Sequence, residues 1–372
     1  MAPTGPGAEE PHVAALPNAP LAARAQVATW VKDAWAATST PAFLDKVAGL
    51  SVLAVAIAIV SGSAVRLTGS GLGCSDWPAC TATSVVAPLQ FHAWVEFGNR
   101  LVNVAITVCI VLVALAAMRR TPRRRDLDWL AGGLVAGILA EVVLGGETVL
   151  HKLAPQFVMA HFLLAVALLV NALVLYHRAR QPETAEEHRT CPKPRRYNLS
   201  RLPPAVLLVR RGQLVAARCM LGLSLLVVAL GTVVTSTGPH AGAPGVPRFA
   251  FSLHTVAQLH GTSVEVLLAV TVATLWSLHL SRAPRPVMLR GEVLLVVLVA
   301  QAAVGYTQYF TGDPVLLVGF HEAGATMVVI AMTAFNLGLY ERRSPAEVPA
   351  VGQAGAHPTV PHVRAERIQR YS

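Results

Sequence analysis

The sequence contains few charged side chains. Asp, Glu, Lys and Arg make up 13% of its 372 residues, while 54% of the residues are hydrophobic. Ordinary soluble domains carry about 25% charged residues, so this composition argues against a soluble globular protein. Several apolar runs of about 20 residues, the length that crosses a lipid bilayer, instead predict a polytopic membrane protein.

Motifs of several membrane-protein classes are also absent. The sequence has no glycine-rich phosphate-binding loop, no Asp-rich motif for a prenyl diphosphate with magnesium, and no HExxH motif. These absences argue against a pump, a prenyltransferase and an intramembrane metalloprotease. The five cysteines are too few for a disulfide scaffold.

The net charge of +10 does not indicate a nucleic-acid partner. The excess comes from arginines between apolar runs, such as the five in RRTPRRR at positions 119–125. Short basic loops of this kind fix the orientation of membrane helices, and no nucleic-acid recognition motif accompanies them. We therefore expect no nucleic-acid binding.

Eight apolar segments predict an all-α integral membrane protein with eight transmembrane helices. They cover about residues 46–63, 93–118, 127–146, 156–177, 216–236, 256–280, 289–307 and 315–339. Basic residues are concentrated in alternate connections. By the positive-inside rule, both termini of this predicted cell-membrane protein then lie in the cytoplasm.

The first outer loop contains Cys74 and Cys80, with five residues between them. The outer side of the membrane is an oxidising location, where two cysteines this close can form a disulfide. The alternative is two neighbouring free thiols. For the other three cysteines, Cys109, Cys191 and Cys219, we expect inert small side chains.

The two halves of the chain resemble each other, which indicates an internal repeat. Three pairs of positions correspond at an offset of 160 or 161 residues: Glu141 with Gln301, His161 with His321, and Asn99 with His260. Because each half has an even number of helices, both halves have the same orientation in the membrane. The predicted fold is two pseudo-symmetric four-helix bundles side by side, each able to hold a cofactor between its helices.

These features divide the chain into five predicted parts. They are an N-terminal cytoplasmic tail, an N-terminal bundle with the substrate site, a basic cytoplasmic linker, a C-terminal bundle with a second site, and a C-terminal cytoplasmic tail. The expected boundaries are residues 1–45, 46–178, 179–215, 216–340 and 341–372.

His260 and His321 are the strongest candidate ligands. They lie at comparable depth in two helices of the second half, and a haem iron held by two imidazoles would satisfy both rings. The alternative for each is a hydrogen bond to a carbonyl or a polar side chain. In the first half His161 is present, but the partner position holds Asn99, whose amide is a poor ligand for haem iron. The first site is therefore either five-coordinate through His161 or takes a sixth ligand from elsewhere, with His92 as the nearest candidate.

Glu96, one turn before Asn99, is the candidate catalytic residue. A carboxylate in a membrane helix is costly and is a functional candidate by default. This one could transfer protons or stabilise positive charge on a reacting carbon, and the alternative is a salt bridge to Arg100. For Glu141, whose counterpart Gln301 is neutral, we expect an interhelical hydrogen bond, with a proton relay as the alternative.

The sequence resembles the haem A synthase family in an ordered series of motifs over about residues 46–340. The motifs are VRLTGSGLGCSDWPAC at 65–80, EFGNRL at 96–101, LGG and TVL within 144–150, Pro155, His161, VTSTGPHAG at 234–242, His260, QAAVGYTQY at 301–309, and His321. The resemblance implies oxidation of a ring methyl group of haem O to a formyl group, giving haem A for terminal oxidases. Haem O synthase is then the expected functional partner.

The resemblance also implies roles for individual residues. It implies a haem b between His260 and His321. It also implies a substrate haem in the first bundle, beside His161, Asn99, Arg100 and His92. Glu96 is then the residue essential for oxidation, and Cys74 and Cys80 form a disulfide. Members of the family commonly have His at the position of Asn99. This departure favours a competing function, a non-catalytic membrane haem protein that carries electrons or haem. The sequence leaves open the electron donor or acceptor and any self-association into a homo-oligomer.

Overall fold

The computed structural model describes residues 36–181 and 205–342, together with Thr29 and Asp33. Most of the two predicted tails, the larger part of the basic linker, and Cys191 lie outside the described residues. The five-part division of the chain therefore stays a prediction.

Eight long helices make up most of the described chain, and each is long and apolar enough to cross a membrane. They are α1 Pro41–Leu67, α2 Phe91–Arg119, α3 Arg125–Leu150, α4 Pro155–Ala179, α5 Arg211–Thr237, α6 Leu253–Leu280, α7 Arg285–Phe310 and α8 Val315–Leu337. The predicted all-α, eight-span fold class is confirmed. Most helices extend several residues beyond the apolar segments, and two of them, α1 and α6, begin at a residue whose side chain caps the first turn. Thr40 Oγ1, for example, accepts a hydrogen bond from the Phe43 N–H at 3.2 Å.

The four helices of each half pack in a ring. In the first half, α1 and α3 both contact α2 and α4; in the second half, α5 and α7 both contact α6 and α8. Helices α2 and α4 therefore occupy opposite corners of one ring, and α6 and α8 occupy opposite corners of the other. The rings meet through contacts of α1 and α4 with α8, and of α4 with α5.

The main cluster of buried apolar side chains in the second ring lies toward one end of it. In α6 and α8 they follow the histidines, at positions such as Leu267 and Met332, and in the oppositely running α5 and α7 they occupy the first turns, at Met220 and Leu294. The first ring has the same arrangement, with its α4 core beginning at Val166. A separate cluster of buried side chains, formed by Cys74, Cys80, Ala87 and Ala93, lies at the opposite end of the first ring.

Two short strands were not predicted from the sequence. Strand β1, Ala205–Leu207, pairs antiparallel with β2, Tyr340–Arg342. The pair joins the chain just before α5 to the chain just after α8. Three-residue strands carry too short an alternation to be recognised beside long apolar helices.

Candidate functional site

His260 and His321 face each other across the second ring. His260 is the eighth residue of α6 and His321 is the seventh residue of α8, so both lie within about two turns of the same end of the ring. Their ring centroids are 6.3 Å apart and their planes are inclined by 80°. Two imidazoles that share one metal ion, each with a nitrogen about 2 Å from it, place their centroids at a similar separation. The sequence-predicted pair is therefore brought together with the spacing of two axial ligands.

The ring nitrogen of His260 that faces away from its partner is already engaged. Its Nδ1 lies 3.1 Å from the carbonyl oxygen of Val227 in α5, and a carbonyl can only accept, so Nδ1 carries the proton. Nε2 is then unprotonated and available to a metal. This is the usual outer contact of a metal-binding histidine.

Glycines let both rings approach the centre. A Cβ atom at Gly305 of α7 would lie 2.8 Å from Cε1 of His321, and one at Gly231 of α5 would lie 3.2 Å from Cε1 of His260. Any side chain at Gly305 would displace the neighbouring ring. Within the described ranges no three His, Cys, Asp or Glu side chains cluster as a metal site. Two histidines suffice where a porphyrin supplies the remaining ligands, so the residues present fit a haem.

The first ring repeats half of this arrangement. His161 in α4 is the counterpart of His321, and its Nδ1 lies 2.5 Å from Oε2 of Glu141 in α3. Gly145 takes the place of Gly305: a Cβ atom added to Gly145 would lie 3.4 Å from Cε1 of His161. The ion-pair contact joins α3 and α4, but His161 Nδ1 has no hydrogen-bond partner among the described residues, so the interhelical hydrogen bond expected for Glu141 stays a prediction. The sequence did not indicate His161 as the residue that Glu141 contacts.

Asn99 replaces the second histidine in the first ring. Its Nδ2 donates to Ser61 Oγ at 2.9 Å, and Ser61 Oγ in turn donates to the Ala58 carbonyl at 3.1 Å. The Oδ1 atom of Asn99 accepts a hydrogen bond from Nδ2 of Asn103 at 3.3 Å. Both ends of the Asn99 amide are therefore held by protein groups. Ser61 was missed by the sequence analysis, because a serine in a membrane helix more often bonds its own backbone.

Glu96 is buried and joined to the outer loop. One carboxylate oxygen accepts the Cys74 N–H at 2.8 Å, and the other accepts from Nη2 of Arg100 at 2.6 Å. Arg100 also donates to the carbonyls of Asp76 and Ala79, at 3.0 Å each. The salt bridge that the sequence left as an alternative is present, and the catalytic role of Glu96 stays a prediction.

The loop between α1 and α2, predicted to lie on the outer side, is closed by a disulfide between Cys74 and Cys80, as predicted. Among the described cysteines, Cys109 and Cys219 are free thiols. His92, at the start of α2, lies seven residues before Asn99, about 10 Å along the helix axis. Its Nδ1 lies 2.9 Å from Ser70 Oγ in the same outer loop.

An ion pair between the halves was missed by the sequence analysis. Arg66 at the end of α1 contacts Glu322 of α8 through Nη1 and Oε1 at 3.0 Å, and its Nη2 donates to the carbonyl of Thr235 in α5 at 2.6 Å. Glu322 directly follows His321. The Gly71 N–H also donates to the carbonyl of Gly242 at 2.9 Å. The charged residue beside His321 in an apolar segment was the available signal for this pair.

Comparison with known proteins agrees with this organisation. The sequence profile of the cytochrome oxidase assembly protein family (COX15-CtaA) matches residues 46–333. A protein of Geobacillus kaustophilus named "Heme A synthase" is 33% identical over 138 residues, which cover 36% of this chain but only 43% of that relative.

Two other similar proteins match over nearly their whole length. A "Heme A synthase" of Shouchella clausii is 21% identical over 80% of this chain and 97% of the relative. One of Shewanella oneidensis is 24% identical over 77% of this chain and 94% of the relative. Since the family profile covers most of the 372 residues, the chain belongs to the cytochrome oxidase assembly protein family.

Proposed function

We propose that this protein is a haem A synthase, which oxidises a ring methyl group of haem O to a formyl group. The observation that carries the proposal is the repeated histidine site, which has two facing imidazoles in one ring and a single imidazole, His161, in the other, where Asn99 stands at the position of the second. One closed and one open site suit a division between electron transfer and substrate binding. The family and the names of its relatives support the same activity.

The second ring would hold the resident cofactor, haem b, between His260 and His321. Bound there, haem b supplies one-electron redox chemistry. The protein contributes the orientation of both rings, through the Val227 carbonyl on His260 and the Gln301 amide near His321. The apolar core below the histidines keeps water from that end of the ring.

The first ring would hold haem O as substrate, with His161 as its axial ligand. The amide of Asn99 is held by Ser61 and Asn103, so it would not be free to serve as a second ligand to the iron. His92 is held by Ser70 in the outer loop. In this proposal it belongs to the loop and does not serve as the sixth ligand.

Glu96 and Arg100 would fix the outer loop over the substrate site. The buried carboxylate accepts from the loop at Cys74, and Arg100 binds loop carbonyls on the other side of the disulfide. A hydrogen bond to a charged group stabilises a folded state by about 1.5–3 kcal/mol, enough to order a short loop. Oxidation then depends on Glu96 through the closed loop, and direct charge stabilisation is the alternative tested below.

The proposed location is the cell membrane, with both termini in the cytoplasm. The basic loop at 119–125 and Arg342, after α8, lie at one end of the helices, and the disulfide loop lies at the other. This distribution follows the positive-inside rule. Haem O synthase is the proposed functional partner, because it supplies the substrate.

The deciding experiment uses a host that lacks haem A. This chain is expressed beside a haem O synthase, and the haems are extracted with acidified solvent and identified by chromatography and mass. We expect haem A or its hydroxymethyl intermediate. A chain with His161→Ala is the matched control and should leave haem O unchanged. Unchanged haem O in the wild type, with haem b still bound, would reject the synthase in favour of a haem or electron carrier.

A further inference from the structure

Glu141 is a buried carboxylate in the middle of a membrane helix, with 8% of its surface exposed. A carboxylate at such a depth is costly unless a partner offsets its charge. Its Oε2 lies at ion-pair distance, 2.5 Å, from Nδ1 of His161, while neither Glu141 Oε1 nor His161 Nδ1 has a hydrogen-bond partner among the described residues. His161 is therefore the group that this carboxylate is placed to contact.

The second half has a neutral group at the same place. Gln301, 160 residues after Glu141, lies with its Nε2 3.0 Å from Nδ1 of His321 and donates to the His321 carbonyl at 2.8 Å. Both acid and amide are the seventeenth residue of their helices, α3 and α7. The two halves thus share one geometry and differ in the charge behind the histidine.

We propose that Glu141 is a positioning residue that holds His161 as a strong donor toward the iron of the substrate haem. This deepens the proposed function and rests on it. An ionised carboxylate only accepts hydrogen bonds, so an Nδ1 that faces it would carry the proton, and Nε2 would keep its lone pair for the iron. A carboxylate behind a metal-bound histidine also raises the basicity of the ligand.

The Glu141 carboxylate and the Asn99 side-chain amide would act on the same site, the proposed haem site of the first ring. Electron donation from His161 stabilises the oxidised iron, and the opposite side holds an amide already bonded to Ser61 and Asn103. The first haem is then strongly ligated on one side and open on the other. The second haem, between two imidazoles with neutral partners, is closed. Glu141 would therefore make a haem in the first site harder to reduce than it would be with an amide at the same position.

His161 is accessible enough for this role. Its side chain is 38% exposed, so the ring is not sealed into the helix packing, and Gly145 leaves room beside its Cε1 atom. The carboxylate, by contrast, is fixed in the interface between α3 and α4. Glu141 itself does not touch the substrate in this proposal and acts only through the imidazole.

The test exchanges the two partner groups in the full-length, detergent-purified protein loaded with ferric haem b. Glu141→Gln installs the residue of the second half, and Gln301→Glu is the reciprocal control. Carbon monoxide binding to the reduced protein identifies the haem in the first site. A redox titration then gives the midpoint potential of this haem, and resonance Raman spectroscopy gives its iron–histidine stretching frequency. We expect Glu141→Gln to retain the haem, raise its potential and lower this frequency. Gln301→Glu should lower the potential of the second haem only.

A variant without any hydrogen-bonding group separates orientation from charge. Glu141→Leu should weaken haem binding at the first site by about 10–100-fold, as expected for loss of the outer contact of a metal ligand, while Glu141→Gln keeps most of the affinity. Unchanged potential and frequency in Glu141→Gln, or full haem affinity in Glu141→Leu, would overturn the proposal.

The outcome is separable from that of the proposed function. A wild type that makes no haem A but shows the potential shift in Glu141→Gln would reject the synthase and keep the role of Glu141. A wild type that makes haem A without any shift in the variant would keep the synthase and reject that role. A chain that takes up no carbon monoxide-binding haem would reject both.

Discussion

Asn99 and Ser61 together occupy the place of one imidazole. In the second half His260 reaches the Val227 carbonyl directly, at 3.1 Å. In the first half Asn99 donates to Ser61, which donates to the carbonyl of Ala58. Ala58 and Val227 correspond at an offset of 169, the offset that also aligns Thr68-Gly69 with Thr237-Gly238. The shorter side chain reaches the same backbone group through an added hydroxyl.

Restoring the residues of the second half should therefore close the first site. Leu230 stands where the first half has Ser61, so the variant is Asn99→His with Ser61→Leu. We expect the first haem to become six-coordinate and low-spin, because a second imidazole then faces the iron. Absorption spectra of the ferrous protein with carbon monoxide measure this change.

The control for this closure is Ser61→Leu alone, which should keep the carbon monoxide complex. If the wild type and the double variant bind carbon monoxide equally, Asn99 does not set the coordination of the first haem.

Glu96→Gln should stop haem A production while haem b stays bound to His260 and His321. The substitution replaces the negative carboxylate that faces Arg100 with a neutral amide. We therefore expect the free energy of unfolding to fall by about 1.5–3 kcal/mol, the value of a hydrogen bond to a charged group. Haem extraction and a haem-to-protein ratio measure the two effects.

Glu147→Gln is the matched acid control for this variant. Glu147 pairs with His151 at the surface, where both side chains are 40% exposed or more, and exposed pairs contribute little. Full haem A production by Glu96→Gln would remove Glu96 from the mechanism. If Glu96→Gln instead lowers both haem A production and the resistance of the disulfide loop to protease, Glu96 acts by holding that loop in place.

Hydropathy was sufficient to predict the eight helices, the repeat offsets to place His260 beside His321, and the spacing of Cys74 and Cys80 to predict their disulfide. These features depend on side-chain type at fixed spacing, which a sequence displays directly. The partner of Glu141 was not predictable in this way. Its contact with His161 depends on how α3 and α4 face each other, and the apolar pattern of a membrane helix does not define one buried face.

The same limit applies to Glu96 and Arg66. Helical spacing correctly offered Arg100 as a partner of Glu96, but the backbone N–H of Cys74 comes from a loop whose path is set by the disulfide. Arg66 pairs with Glu322, which is 256 positions away. Contacts of that kind require the packing of the two halves, on which local sequence carries little information.

His321→Ala should remove haem b from the second site and leave the carbon monoxide-binding haem of the first site. The ring is one of two facing imidazoles at 6.3 Å, and the alanine leaves His260 without an opposite ligand. His254→Ala is the control, because it precedes His260 by six residues at an exposed position of α6. The haem-to-protein ratio and the low-spin spectrum measure the result. Retention of a low-spin haem in His321→Ala would show that another residue ligates the iron.

Gly305→Ala should weaken haem b binding although it adds only a methyl group. The new Cβ would lie 2.8 Å from Cε1 of His321, closer than packed atoms tolerate, so the imidazole must leave the position from which it would bind the iron.

Gly62→Ala is the control in the first half. Gly62 corresponds to Gly231, which faces His260 at 3.2 Å, yet nothing lies within 4 Å of its Cβ direction. The reason is that Asn99 is shorter than an imidazole. Titration with haem b should show weaker binding for Gly305→Ala and unchanged binding for Gly62→Ala, and equal affinities would mean that the glycines do not set the position of the rings.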